Sequence, residues 1–317
     1  MSNSEQMDRR TMLKGMGAAA LSLATHAELQ GAPQEAASKF FPQGFKPFKF
    51  QTSGAMINGV IGGQGPPLLL LHGAPMSHIT WRVVGPMLMN EYTVVCPDLR
   101  GYGDSSKPPD GENHSNYSKR AMALDQVEVM KHFGFDRFPV VGHDRGGRVA
   151  QRMALDHSDK VSKLAVLDII PTYYLYTHVT IEFVQAYFHW FNYLRPAPGP
   201  ENDLKATYNR PVPSDPAQAE YFRVSSDPAA IHAMCEDYRA GASIDLKHDE
   251  ADLAHKIECP LLVLWGERSP MGRIYDVLSI WKDRGTNIRG KAMPAGHNLQ
   301  EEAPNEVYAE VHAFLRA

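Results

Sequence analysis

The sequence predicts an α/β fold: a mostly parallel sheet flanked by helices, with an inserted helical cap. Three observations carry that expectation. Continuous apolar runs, "PPLLLLHG", "YTVVCPDLR" and "FPVVGHD", each give way to a helical pattern, as in "YSKRAMALDQVEVMKHFG" and "GGRVAQRMALDHS". Strands apolar at every position are buried on both faces, which is the condition of a parallel sheet covered by helices. The rhythm lapses near Pro171 and resumes near Cys259, so a different segment interrupts it. Finally, 317 residues of which 43% are hydrophobic and 21% charged suffice for one large core and exclude a disordered or fibrous chain.

In chain order, residues 1–36 read as an export signal and flexible leader. The first part of the core, residues 37–170, opens with "FKFQTSG" and "AMINGVIGG", whose alternation and glycine turns predict a hairpin. The three apolar runs supply the next strands, and "VSKLAVLDII" a further one that stops at Pro171. Residues 171–256 turn aromatic and then Pro-rich ("RPAPGPENDL", "NRPVPSDP"), with helical pieces "IEFVQAYFHWFNY" and "PAAIHAMCEDYRAG". This is the cap, inserted after about the sixth strand. The second part of the core, residues 257–317, holds "CPLLVLWGE", "GRIYDVLSIWKD", "TNIRGKAMP" and a last helix from Pro304 to Ala317. "GGQGPP" lacks the spacing of a dinucleotide-binding loop.

A formal net charge of −4, without basic runs interleaved with aromatics, gives no attraction to phosphate backbones, so nucleic acid is not an expected partner. The leader "MDRRTMLKGMGAAALSLATHA" joins Arg9 and Arg10 to a lysine and a short, weakly apolar run that ends in small residues. That order predicts twin-arginine export to the periplasm with cleavage after Ala27. The run from Met16 to Ala24 is too short to span a bilayer, so no stable membrane anchor is expected. Cys96, Cys235 and Cys259 are odd in number and widely spaced, and read as buried small hydrophobes rather than a disulfide framework.

In "PVVGHDRGGRVA", Gly142 and Gly146 flank Asp144 where a strand turns into a helix. Glycine, any residue, a reactive residue, any residue, glycine at such a turn is the nucleophile elbow of the α/β-hydrolase fold, with Asp in the place more often held by Ser. The helix amino terminus beneath it favours a carboxylate; the competing role for Asp144 is merely to cap that helix. His297, in "PAGHNLQEEAP", follows the last strand, where the fold places its base. Asp168 ends "VSKLAVLDII" and is the expected acid partner, with Glu267 of "LWGERS" the weaker alternative. The chain order nucleophile, acid, base is the one this fold uses.

The residues "HGAP", "PDLRGYGDSSKP", "GHDRGGRVA", "LDIIPT", "YFHWF" and "GHN" together resemble the haloacetate dehalogenases, including the fluoroacetate dehalogenases. The likeness runs from about Phe40 onward, and "HDRGGR" with "FHWF" is its most specific part. It implies hydrolysis of haloacetates to glycolate and halide through an aspartyl ester, with no metal or organic cofactor, and a homodimer. It assigns His189, Trp190 and Tyr238 to the halide pocket and leaves Tyr173, Tyr174 and Tyr176 at its entrance. The oxyanion donors are the N–H groups of Arg145 and Ala74. The family often carries a bulky residue at position 74 and an apolar one at 298, where this chain has Ala74 and Asn298; both departures bear on substrate size.

A haloacetate is an anion approaching an anion. Two unit charges about 4 Å apart repel by roughly 4 kcal/mol at an effective dielectric near 20, nearly a thousandfold in rate. Arg145 and Arg148 are the expected remedy, as bidentate donors to the substrate carboxylate. Epoxide hydrolases share the frame and form the alternative activity, but commonly carry Trp after the reactive Asp, where this chain has Arg145. A ligand-binding protein without turnover is the reading from outside enzymology.

Overall fold

The computed structural model describes residues 39–317. The export-signal reading, with Arg9, Arg10 and the cleavage site, lies outside the described residues. Among the described residues no helix is long and apolar enough to cross a membrane.

Eight strands form one sheet: β1 (Phe45–Gln51), β2 (Met56–Gly62), β3 (Pro67–Leu71), β4 (Thr93–Pro97), β5 (Phe138–His143), β6 (Val161–Leu167), β7 (Leu261–Gly266) and β8 (Ile288–Met293). Their order is β1-β2-β4-β3-β5-β6-β7-β8. The hairpin β1/β2 is antiparallel, with Phe45 opposite Gly62, and β2 also pairs antiparallel with β4. The remaining pairs are parallel, in registers such as Leu69 with Val140 and Val166 with Val263. Leu68 to Leu71 in the sheet centre are fully buried, as the continuous run requires. Edge strand β8 instead alternates half-buried and exposed positions up to the buried Met293, because one of its sides faces solvent.

The strand order reverses beside β3. After β3 the chain steps outward to β4, then crosses back to place β5 on the other side of β3. Loops leaving β3 and β5 therefore diverge and open a crevice at the carboxyl ends of the strands, which is where open α/β sheets bind ligands.

Between β6 and β7 lie the helices Thr172–Thr177, Ile181–Ala186, Phe188–Asn192, Gly199–Thr207, Pro216–Ser225, Pro228–Gly241 and Ile244–Ala251. Asp215 and Asp227 cap two of them, accepting bonds from the N–H groups of Gln218 and Ala229. The stretch expected as one helix, "IEFVQAYFHWFNY", is broken at Tyr187, whose φ of −128° and ψ of 39° are not helical. In the second of these helices Trp190 is buried while Phe188, two residues before it on the opposite face, is exposed. "GRIYDVLSIWKD" likewise forms two helices, Pro270–Ile274 and Val277–Lys282. All three cysteines are free; Cys96 and Cys235 are buried, and Cys259 is only partly so.

The loop after β4 is fastened by Asp98. Its Oδ1 accepts from the His78 N–H at 2.7 Å and lies 2.8 Å from His78 Nδ1. Its Oδ2 accepts from Asn58 Nδ2 at 2.8 Å and the Asp104 N–H at 2.9 Å. Burial opposes ionisation of Asp98, but the His78 and His72 charges and the donated hydrogen bonds outweigh it and hold its pKa well below the usual range. A depressed carboxylate pKa contributes stability above the unfolded value, near 4, and loses it as pH falls through the folded one. Asp98→Asn is therefore expected to cost about 3 kcal/mol in urea unfolding at pH 7. The gap between variant and parent should narrow below pH 4.

Candidate active site

Asp144 sits at the end of β5 with φ 46° and ψ −116°, a conformation L-residues rarely adopt. Its two glycines are required by backbone, not by preference. A Cβ on Gly142 would lie 2.4 Å from the Gly146 carbonyl oxygen, and one on Gly146 would lie 2.5 Å from the His72 carbonyl oxygen. Asp144 stands at the N-cap of the helix Arg145–Asp156, yet its side chain makes no capping hydrogen bond there. Instead Oδ2 accepts from the Ala74 N–H at 3.1 Å, the loop leaving β3. The capping role weighed from sequence is thus not the one this side chain fills. Burial raises the Asp144 pKa, but the charges of His297 and Arg145, then His143 and Arg148, overcome it and keep the carboxyl ionised.

His297 Nδ1 lies 2.6 Å from Asp168 Oδ2. The other Asp168 oxygen accepts from the Gly266 N–H at 2.9 Å and from Ser269 Oγ at 2.7 Å, so both oxygens are fixed. Asp168 takes φ 54° as the chain leaves β6, which turns its carboxylate toward β7. The hydrogen bond assigns the proton to Nδ1 and leaves Nε2 as the basic nitrogen. Burial lowers the His297 pKa, the Asp168 hydrogen bond and the Asp144 charge raise it, and the net shift is upward. Glu267 is exposed, its carboxylate 3.9 Å from Arg268, with no part in this pair.

Arg145 and Arg148 leave the elbow on the same helix and are 1% and 2% exposed, which rules out surface ion pairing. The Arg145 guanidinium carbon lies 3.5 Å from the ring centre of Tyr238 and 4.6 Å from that of Trp190. Its Nε is 3.7 Å from Asp237 Oδ2, too far for a hydrogen bond, and Nε and Nη2 have no partner. Arg148 donates Nη1 to the Ile170 carbonyl at 3.0 Å and to Thr172 Oγ1 at 2.8 Å; its Nε and Nη2 are likewise unpartnered. Burial, then the neighbouring Arg145 charge, push the Arg148 pKa down.

Trp190 and Tyr238 pack edge to face at 5.4 Å, and His189 lies 5.8 Å from Tyr238. Burial and then the Arg145 charge lower the His189 pKa to about 4, so the imidazole is neutral at pH 7. Tyr173 and Tyr174 do not join this group. They line a separate cleft of about 220 Å³ with Pro171, Thr177 and His178, whereas Tyr176 faces inward against Trp190.

Several supporting residues carry no sequence signal. His143 lies 2.8 Å through Nε2 from the His297 carbonyl, tying the base loop to the residue next to the nucleophile. Asp237 pairs with Lys119 and accepts from Tyr102 at 2.5 Å beneath Arg145. Elsewhere Asp110, His232 and Glu236 hold ligand atoms within 4.8 Å of one another. His114 and Arg239 already pair with Glu236, and His232 bridges Asp110 and Glu201, so the cluster neutralises itself. Gly146→Ala should cost at least about 2 kcal/mol and abolish any activity of the site, because the clash is with backbone; urea unfolding and a turnover assay on the same preparation check it.

The model of the α/β hydrolase fold family matches residues 66–304. Fluoroacetate dehalogenase from Burkholderia sp is 45% identical over 287 residues, covering 86% of this chain and 94% of that protein. Soluble epoxide hydrolase from Corynebacterium sp. (strain C12) is 36% identical, covering 80% of this chain and 93% of that protein. The crystal structure of a proposed α/β hydrolase from Nostoc sp PCC 7120 is 50% identical with a TM-score of 0.82, covering 86% of this chain and 98% of that one. With its eight-stranded sheet, its elbow at Asp144 and these likenesses over most of its length, the chain belongs to the α/β-hydrolase fold family.

Proposed function

We propose that the protein hydrolyses haloacetates to glycolate and halide through an ester on Asp144. The observation that carries this reading is the pair of buried guanidinium groups beside an ionised carboxylate, each with two unpartnered N–H donors. Such donors are costly to bury unless an anion meets them. The 45% identity with a fluoroacetate dehalogenase supports the same chemistry.

The Ala74 N–H already holds Asp144 Oδ2, so that oxygen is the ester carbonyl and Oδ1 attacks the halogen-bearing carbon. The carbon–halogen bond breaks and halide departs with the electron pair toward His189, Trp190 and Tyr238. Their N–H and O–H groups are neutral donors suited to growing negative charge. Nε2 of His297 then takes a proton from water, and the hydroxide adds to the ester carbonyl carbon. The oxyanion that forms on Oδ2 is met by the N–H groups of Ala74 and Arg145. Collapse expels glycolate and regenerates the carboxylate, with one proton released to solvent. Asp168 stabilises the transient imidazolium. Arg145 and Arg148 offset the repulsion between substrate and nucleophile; the anion also relieves the unfavourable charge on Arg148.

The 36% identity with a soluble epoxide hydrolase marks the second reading, in which Tyr176 or Tyr238 would protonate an opening epoxide oxygen. A neutral epoxide leaves the unpartnered guanidinium donors unmet. Diol formed from styrene oxide, without halide from any haloacetate, would establish that reading in place of ours.

Ion chromatography should detect fluoride or chloride when the protein meets fluoroacetate or chloroacetate. His297→Asn is expected to release one equivalent and stop, with Asp144 carrying a carboxymethyl adduct by mass spectrometry; an unmodified Asp144 would refute the two-step route. Since His297 acts as a base and its pKa is raised, turnover should fall as pH drops through a value above 6.5. No further loss from protonation of Asp144 is expected above pH 4, because its pKa is depressed.

A further inference from the structure

Tyr176 presents a buried phenolic oxygen without a hydrogen-bond partner, in the same pocket as the unpartnered nitrogens of Arg145 and Arg148. Its ring centre is 5.6 Å from that of Trp190, which also lies against the guanidinium carbons of Arg145 at 4.6 Å and Arg148 at 4.8 Å. Gly241, at the end of the helix Pro228–Gly241, marks the space between them. A Cβ placed there would be 3.5 Å from Arg145 Nη1 and 3.9 Å from Tyr176 Oη, so both atoms border one small volume that glycine leaves open.

An isolated buried hydroxyl is unfavourable, and a tyrosine kept for packing alone is served as well by phenylalanine. Five donor atoms, two on each arginine and one on Tyr176, therefore stand buried and unpartnered on side chains grouped around Trp190. We infer that Tyr176 is a third, neutral donor to the substrate carboxylate, beside the two arginines. The inference rests on the carboxylate-binding role proposed for the two arginines. A carboxylate offers about four acceptor sites, enough to engage the phenol together with three of the four guanidinium nitrogens. The Tyr176 O–H supplies direction without charge, so it orients the carbon toward Asp144 without drawing the nucleophile away.

Tyr176→Phe tests the assignment through binding as well as turnover. Free of ligand, the variant should melt no lower than the parent, since it loses only an unpaired hydroxyl. Its KM for chloroacetate should rise roughly ten- to a hundredfold with kcat changed less than about threefold. The upward shift in melting temperature that acetate gives the parent should be largely lost. An unchanged KM and an unchanged acetate shift would overturn the proposal, as would a parent protein that acetate does not stabilise. If the parent releases no halide but acetate stabilises it and not the variant, the carboxylate cradle stands and the dehalogenation reading alone fails.

Discussion

The structure depends on placing two positive charges in a dry pocket next to a negative one. Arg145 and Arg148 lie on one face of the helix that starts at the nucleophile, and the aromatic rings of the cap close over them. Stacking on Trp190 and Tyr238 balances the guanidinium charge through the ring faces. It leaves the in-plane Nε and Nη2 edges without a partner, and such edges are the ones a carboxylate can meet in bidentate fashion. Tyr238 therefore stacks on Arg145 through its face, which leaves its hydroxyl for the halide in the proposed reaction.

Core and cap meet in the same network. The cap helix Pro228–Gly241 carries Asp237, Tyr238 and Gly241 on consecutive turns or neighbouring positions. Asp237 reaches Lys119 and Tyr102, both from the core, so the helix that shapes the carboxylate cradle is fastened below it by a buried ion pair. On the core side, the reversal of strand order at β3 places the loops bearing Ala74 and Asp144 face to face. The hydrogen bond from the Ala74 N–H to Oδ2 distinguishes the two carboxylate oxygens. His143 and Asp168 then lock the base loop from two directions.

What the sequence reveals follows from how local each signal is. The strands are legible because burial on both faces writes an unbroken apolar run, and the elbow because backbone crowding forbids any Cβ at Gly142 or Gly146. Asp144, Asp168 and His297 can be placed from the ends of those strands. The break at Tyr187 is not legible, because no glycine, proline or capping residue marks it, and the Trp190 contact with Arg145 joins residues more than forty positions apart in the chain. Asp237 is invisible for the same reason, its partners Lys119 and Tyr102 being 118 and 135 residues distant. Among three neighbouring tyrosines, only packing separates Tyr176, which faces the arginines, from Tyr173 and Tyr174, which face an outer cleft.

That a side-chain oxygen of Asp144, and not water, first bonds the substrate carbon is tested most directly by one turnover in oxygen-18 water with enzyme in excess over chloroacetate. The account predicts heavy oxygen in the peptide that contains residue 144 and unlabelled oxygen in the glycolate. Label found directly in glycolate, with none in the protein, would contradict it.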